Sequence, residues 1–155
     1  IECKGTYRNK GFTDNIETWN ATFTYRSGLK MHFADPTVLK TGTKFIGDKG
    51  WVYCDRSGKF EAEPESLLRV KLKDNELHLH ESKHHQEDFL QSVRSRKDPV
   101  SNIDATHIAS YLGLIAEIAA RLETKLKWDP KREKFIGNDE ANKRLSRPMH
   151  NGWKL

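Results

Sequence analysis

Cysteine is scarce in this chain. Cys3 and Cys54 stand alone, too few for a disulfide framework and with no spacing that suits a metal. Both fall in strand-like segments, which points to two buried free thiols, with a bridge between neighbouring strands as the other open state. No run approaches the ~18 apolar residues of a membrane-spanning helix, and none of the 155 residues forms a signal-peptide pattern. The phosphate-cradling Gly-x-Gly-x-x-Gly and the Gly-x-Ser-x-Gly nucleophile turn are both missing. The sequence therefore offers no sign of a disulfide scaffold, a membrane-spanning helix, a dinucleotide-binding turn or an acyl-transfer nucleophile.

What is present is polar but foldable. Hydrophobic residues make up 35% of the chain and charged ones 32%, with a mean hydropathy of −0.81. Aromatics at 10% are too many for a disordered segment. The length fits one domain spanning 1–155. Ile1 is not an initiator methionine and the first residues already alternate like a strand, so the expectation is a cleaved or truncated product. A net charge of +5 and a pI near 9.2 raise the question of nucleic acid. The basic residues alternate with acids, as in Asp129-Pro130-Lys131-Arg132-Glu133-Lys134, which is how a solvated surface reads. No nucleic-acid partner is expected.

The first half reads as strands. In residues 17–25, Trp19, Ala21, Phe23 and Tyr25 share one face and Thr18, Asn20, Thr22 and Thr24 the other. Ser27-Gly28 supplies a turn, and Leu29, Met31 and Phe33 return on one face. A second hairpin joins 43–47 to 51–56 through Asp48-Lys49-Gly50, its second strand apolar on both faces and so central. Segments 59–63, 67–72 and 76–80 are expected to add short strands, broken at Pro64 and Asp74-Asn75.

The second half reads as helices. Residues 83–97 carry Phe89, Leu90 and Val93 as a stripe, and Asp98-Pro99 ends them. Ser101 with Asp104 resembles a capping box that opens a second helix over 103–123. That helix is apolar nearly all round, apart from Ser110, Gly113, Glu117 and Arg121, so it is expected to be buried between layers. A short strand at 125–128, a turn at Asp129-Pro130, a third helix from Asn138 to about Ser146 and an extended tail complete the chain. Strands followed by helices predict an α+β fold, an open and mainly antiparallel sheet with two to three helices on one face.

Chemistry is harder to find. His78, His80, His84 and His85 lie near Glu81, Glu87 and Asp88, but their spacing matches no defined metal loop. His32 reads as a solvated strand residue. His107, in the first turns of the long helix, reads as a packing or hydrogen-bonding group, with a proton-donating role in a substrate cleft as its alternative. Glu61, Glu63 and Glu65 alternate along a solvated edge. Trp19 and Trp51, with Phe23, Tyr25, Met31 and Phe33, suit core or subunit packing better than a sugar-stacking platform.

One ordered set of motifs carries more. It comprises Phe45-Ile46-Gly47-Asp48-Lys49-Gly50-Trp51-Val52, Pro64-Glu65-Ser66-Leu67-Leu68, and Asp88-Phe89-Leu90 through Arg94-Ser95-Arg96-Lys97. Ala119-Ala120-Arg121-Leu122, Trp128-Asp129-Pro130, Glu140-Ala141-Asn142 and Arg147-Pro148 with Trp153-Lys154-Leu155 continue it. The set resembles the C-terminal domain of the Gfo/Idh/MocA oxidoreductases, the glucose–fructose oxidoreductase and inositol dehydrogenase family. The resemblance implies a two-domain parent, bacterial and cytoplasmic or periplasmic, whose N-terminal Rossmann domain binds NAD or NADP and carries a Glu-Lys-Pro lysine. It further implies a sugar-like substrate and a homo-oligomer formed through the sheet face. The family's Asp-x-x-x-His pair falls early in the second part of such enzymes, and this chain is read as beginning after it. No catalytic, cofactor-binding or metal residue is therefore carried onto any position here, the substrate contacts stay unassigned, and no cofactor is expected on these residues alone. The other reading of the same sheet is a non-enzymatic binding or assembly module.

Overall fold

The computed structural model describes residues 1–8, 11–82, 84–147 and 149–152. In chain order these form β1 (Glu2–Tyr7), β2 (Ile16–Thr24), β3 (Lys30–Ala34), β4 (Thr43–Gly47), β5 (Gly50–Cys54) and β6 (Phe60–Glu63). Then come α1 (His85–Ser95), α2 (Ile103–Arg121), β7 (Trp128–Asp129), β8 (Lys134–Phe135) and α3 (Asp139–Lys143). Every strand pairing is antiparallel, and the fold class is α+β. The chain divides into two compact units, Ile1–Leu39 with His107–Leu155 and Lys40–Thr106.

In the first unit β1, β2 and β3 pair in that order. The hairpin closes where Tyr25 N donates to Leu29 O at 2.9 Å, with Gly28 at φ 90°, a conformation a Cβ would disfavour. Ile1 N donates to Leu126 O at 2.7 Å and Leu126 N returns the bond to Ile1 O at 2.9 Å. Such reciprocal bonding marks an antiparallel pair. This one pair ties the residue just before β1 to the segment that leads into β7, whose two-stranded ladder with β8 is a sheet of its own.

Period two then sorts the side chains. Cys3, Ala21, Phe23, Leu126 and Phe135 point to one face, where Ile115, Ala116, Ile118, Ala119 and Ala120 of α2 meet them. Ala21 and Ala119 are fully buried within this cluster. Asn142 of α3 clasps β8, accepting from Phe135 N at 2.8 Å and donating to Phe135 O at 2.9 Å. The cap of α3 is the expected one, with Ala141 N donating to Asn138 Oδ1 at 2.9 Å.

In the second unit β5 lies between β4 and β6, as its two apolar faces predict. Gly50 begins β5 at φ 129°, and a Cβ there would lie 1.9 Å from Glu63 O, so no other residue fits this turn. Tyr53 is buried, and its hydroxyl donates to Thr41 O. α1 ends at Arg96, which takes a left-handed C-cap and donates to Ser92 O, ahead of the expected stop at Asp98-Pro99. Its expected first residue, Lys83, lies outside the described residues.

Several expectations are corrected. Segment 67–72 is no strand, because Pro64 opens a 3-10 turn over Glu65–Arg69 in which Leu67 N donates to Pro64 O. Segment 76–80 is no strand either, and Leu77 and Leu79 are more than 80% exposed, since among the described residues no neighbour offers a ladder to pair with. Asn102, not Ser101, caps α2 by accepting from Ala105 N at 2.9 Å. α2 is not buried all round: its buried residues all lie within Ile115–Ala120, while Ile103, Ile108 and Leu114 stand open. Part of the expected extended tail forms a short turn at His150–Gly152, and Pro148 and residues 153–155 lie outside the described residues.

Two substitutions of opposite sign test this packing. Leu126→Ala removes a side chain 2% exposed beneath α2 and should cost about 2–5 kcal/mol in urea unfolding. Gly113→Ala adds a Cβ that meets nothing within 4 Å and should gain up to about 1 kcal/mol from helix propensity.

Candidate functional site

The sheet of the second unit has two chemically different faces. Lys44, Ile46, Trp51, Tyr53, Glu61 and Glu63 share one, by the register of β4, β5 and β6. On it the Lys44 amine lies 3.7 Å over the Trp51 ring and the Lys40 amine 4.0 Å over Tyr53. Glu61 bridges Lys40 at 2.9 Å and Lys59 at 2.6 Å. Cations thus cover the aromatic rings, so Trp51 offers no free stacking platform. The other face carries Thr43, Phe45, Val52, Cys54, Phe60 and Ala62. Phe45 and Phe60 are 65% and 62% exposed there, an apolar surface with no covering side chains.

The aromatics of the first hairpin go elsewhere. Trp19, Phe23 and Met31 pack into or against the core under α2, and Phe33 lies 5.6 Å from Trp19. A cavity of about 190 Å³ opens beside Trp19, Phe33, Gly113 and Glu117. It is smaller than the ~300 Å³ at which ligand pockets begin and is walled by core residues. Cys3 lines it too, and burial pushes that thiol above its ordinary range, which keeps it protonated and unreactive. Both cysteines are free.

The structure scatters the histidines. His78 Nε2 lies 3.0 Å from Lys73 O and His80 Nε2 3.1 Å from Asp88 Oδ1. Asp88 also accepts from Val100 N at 2.8 Å, so this pair ties loops to α1. Among the described residues no three His, Cys, Asp or Glu side chains converge on a metal position. His32 lies 3.2 Å from Thr22 Oγ1 on the solvated sheet face. His107 meets Glu133 at 2.7 Å, a partner 26 residues away that no local pattern announces. Glu61 belongs to the lysine cluster above, and Glu65 pairs with Arg69 on the 3-10 turn at 2.9 Å.

An α+β layer with these loops is the setting for the comparison that decides the family. Residues 7–155 match the Gfo/Idh/MocA model described as "Oxidoreductase family, C-terminal alpha/beta domain". The chain belongs to this oxidoreductase family, as its C-terminal domain. No curated protein and no solved structure matches it.

The residues of this oxidoreductase domain do not fit the nicotinamide dinucleotide that the family implies. Pyrophosphate binding needs a helix N-terminus presented by a parallel βαβ turn. Among the described residues all pairings are antiparallel, and α1 and α2 open with Glu87, Asp88 and Asp104, whose charge repels phosphate. One run does have the family's Asp-x-x-x-His spacing, Asp74 to His78. It lies in an exposed turn where Glu76 N donates to Lys73 O, with His78 against Lys73 O. Neither side chain is enclosed, and the spacing carries no catalytic role here.

The lysine cluster makes a testable pH signature. Its hydrogen bonds from Lys59 and then Lys40 hold the Glu61 carboxyl below the usual glutamate range. A depressed folded pKa stabilises fully above the unfolded value and fades as pH falls through the folded one. Urea midpoints measured from neutral pH down through the ordinary glutamate range, about 4.3, should fall less steeply in Glu61→Gln than in the parent.

Proposed function

We propose that this domain is the substrate-covering and assembly half of an NAD(P)-dependent oxidoreductase acting on a sugar-like molecule. The cofactor then belongs to a Rossmann domain elsewhere in the parent, and the domain is silent alone. Hydride transfer would be the cofactor's chemistry, while these residues supply shape and a boundary against water. The observation that carries the reading is the family match across residues 7–155. Surface that the domain leaves bare supports it.

The first turns of α2 leave Ile103 at 79% and Ile108 at 51% exposure, and the β4–β6 face leaves Phe45 and Phe60 open. Exposed apolar patches of this kind mark association surfaces. We assign the β4–β6 face that carries Phe45 and Phe60 to a second copy of the chain, because on the opposite face lysines already lie over the Trp51 and Tyr53 rings.

Two measurements test the two halves of the proposal. Calorimetric titration with NADH and NADPH should give no binding heat, and tight binding by these residues would overturn the silence. In sedimentation velocity the chain should self-associate, and the double substitution Phe45→Glu with Phe60→Glu should leave monomer. An unchanged sedimentation profile would remove the assembly face.

A further inference from the structure

His107 lies in the second turn of α2, and its Nε2 meets Glu133 Oε1 at 2.7 Å. Their side chains are 54% and 51% exposed. A pair so exposed contributes little to stability. What holds it is therefore informative. Glu133 closes the loop between β7 and β8 at φ 49°. Hairpin loops usually give that left-handed position to Gly or Asn, because a Cβ is disfavoured there. The imidazole is fixed from its other side as well. It packs edge-on against Tyr111 at 5.4 Å and 76°, Tyr111 lies 5.5 Å from Trp128, and Trp128 lies 5.0 Å from the buried Phe135.

A carboxylate, a strained loop and an aromatic column rooted in the core thus converge on one half-exposed ring. An ordinary surface ion pair requires none of these. A group whose position must be set in advance of binding benefits from all three. The carboxylate can only accept, so in the neutral ring Nε2 carries the proton and Nδ1 keeps its lone pair. Among the described residues Nδ1 has no hydrogen-bond partner. In its neutral form the ring therefore presents an oriented acceptor to solvent.

We infer that His107 is a ligand-contacting residue whose Nδ1 accepts a hydrogen bond from a hydroxyl of a small polyol-type molecule, with Glu133 as its positioning residue. The choice of a hydroxylated ligand rests on the sugar-type reading of the parent enzyme. It also follows from exclusion: Lys131, Arg132 and Lys134 beside Glu133 repel a cationic donor. A metal ion would need further ligands, and the described residues gather no group of three.

Nitrogen-15 NMR of the imidazole near pH 8, above the ordinary histidine range of about 6.5, tests this on the chain itself. The parent should show one tautomer, protonated at Nε2. Glu133→Gly should give a tautomer mixture with a Tm equal to or above the parent's, whereas Glu133→Gln, which still offers an acceptor oxygen, should keep the single tautomer. Sorbitol should move the Nδ1 resonance in the parent and several-fold less in Glu133→Gly, and trimethylamine N-oxide, which has no donor, should not move it. A tautomer indifferent to Glu133→Gly, a Tm lowered by that change, or an Nδ1 resonance that ignores sorbitol or follows both solutes would each overturn the inference. None of these readouts involves the cofactor or the β4–β6 face, so their failure leaves the proposed function standing.

Discussion

The first unit depends on one contact, the seating of Ile115–Ala120 of α2 on the sheet face that carries Cys3, Ala21, Phe23, Leu126 and Phe135. Burial of this apolar surface is the main favourable term available, and close packing sets its size. Ala21, Ala116, Ala119 and Ala120 are buried in this cluster, and Leu126 is 2% exposed within it. The reciprocal Ile1–Leu126 backbone pair then ties the segment leading into β7 to the start of β1, and Phe135 of β8 joins the same buried cluster as α2.

The second unit is built differently. It has one buried aromatic, Tyr53, and relies on ladder bonds, tight turns and an ion network around Glu61. Exposed ion pairs contribute little each, and a three-stranded sheet with one bare apolar face is a poor place to stop. The exposed Phe89, Leu90 and Val93 of α1 tell the same story. Exposed apolar surface of this kind marks places where other protein surface docks.

Much of this was legible in the sequence. The β2–β3 hairpin follows from strict alternation and Ser27-Gly28, and Gly47 to Gly50 marks the second turn. The ordered motifs pointed to the oxidoreductase family that the whole-domain match establishes. Other features were hidden for physical reasons. Leu77 and Leu79 alternate like a strand, but a strand exists only where a neighbour accepts its hydrogen bonds. The apolar girth of α2 predicted burial, yet composition cannot say which part of a helix is covered. The meeting of His107 with Glu133 was invisible because left-handed loop positions are usually announced by Gly or Asn, and here the residue is Glu.

Native-state hydrogen exchange tests the central contact most directly. Amides from Ile115 to Arg121 in α2 and along β2 should be the slowest in the first unit, exchanging only when it unfolds as a whole, while the exposed start of α2 exchanges by local opening. Uniform protection along the whole of α2, or slowest exchange in its first two turns, would contradict the account.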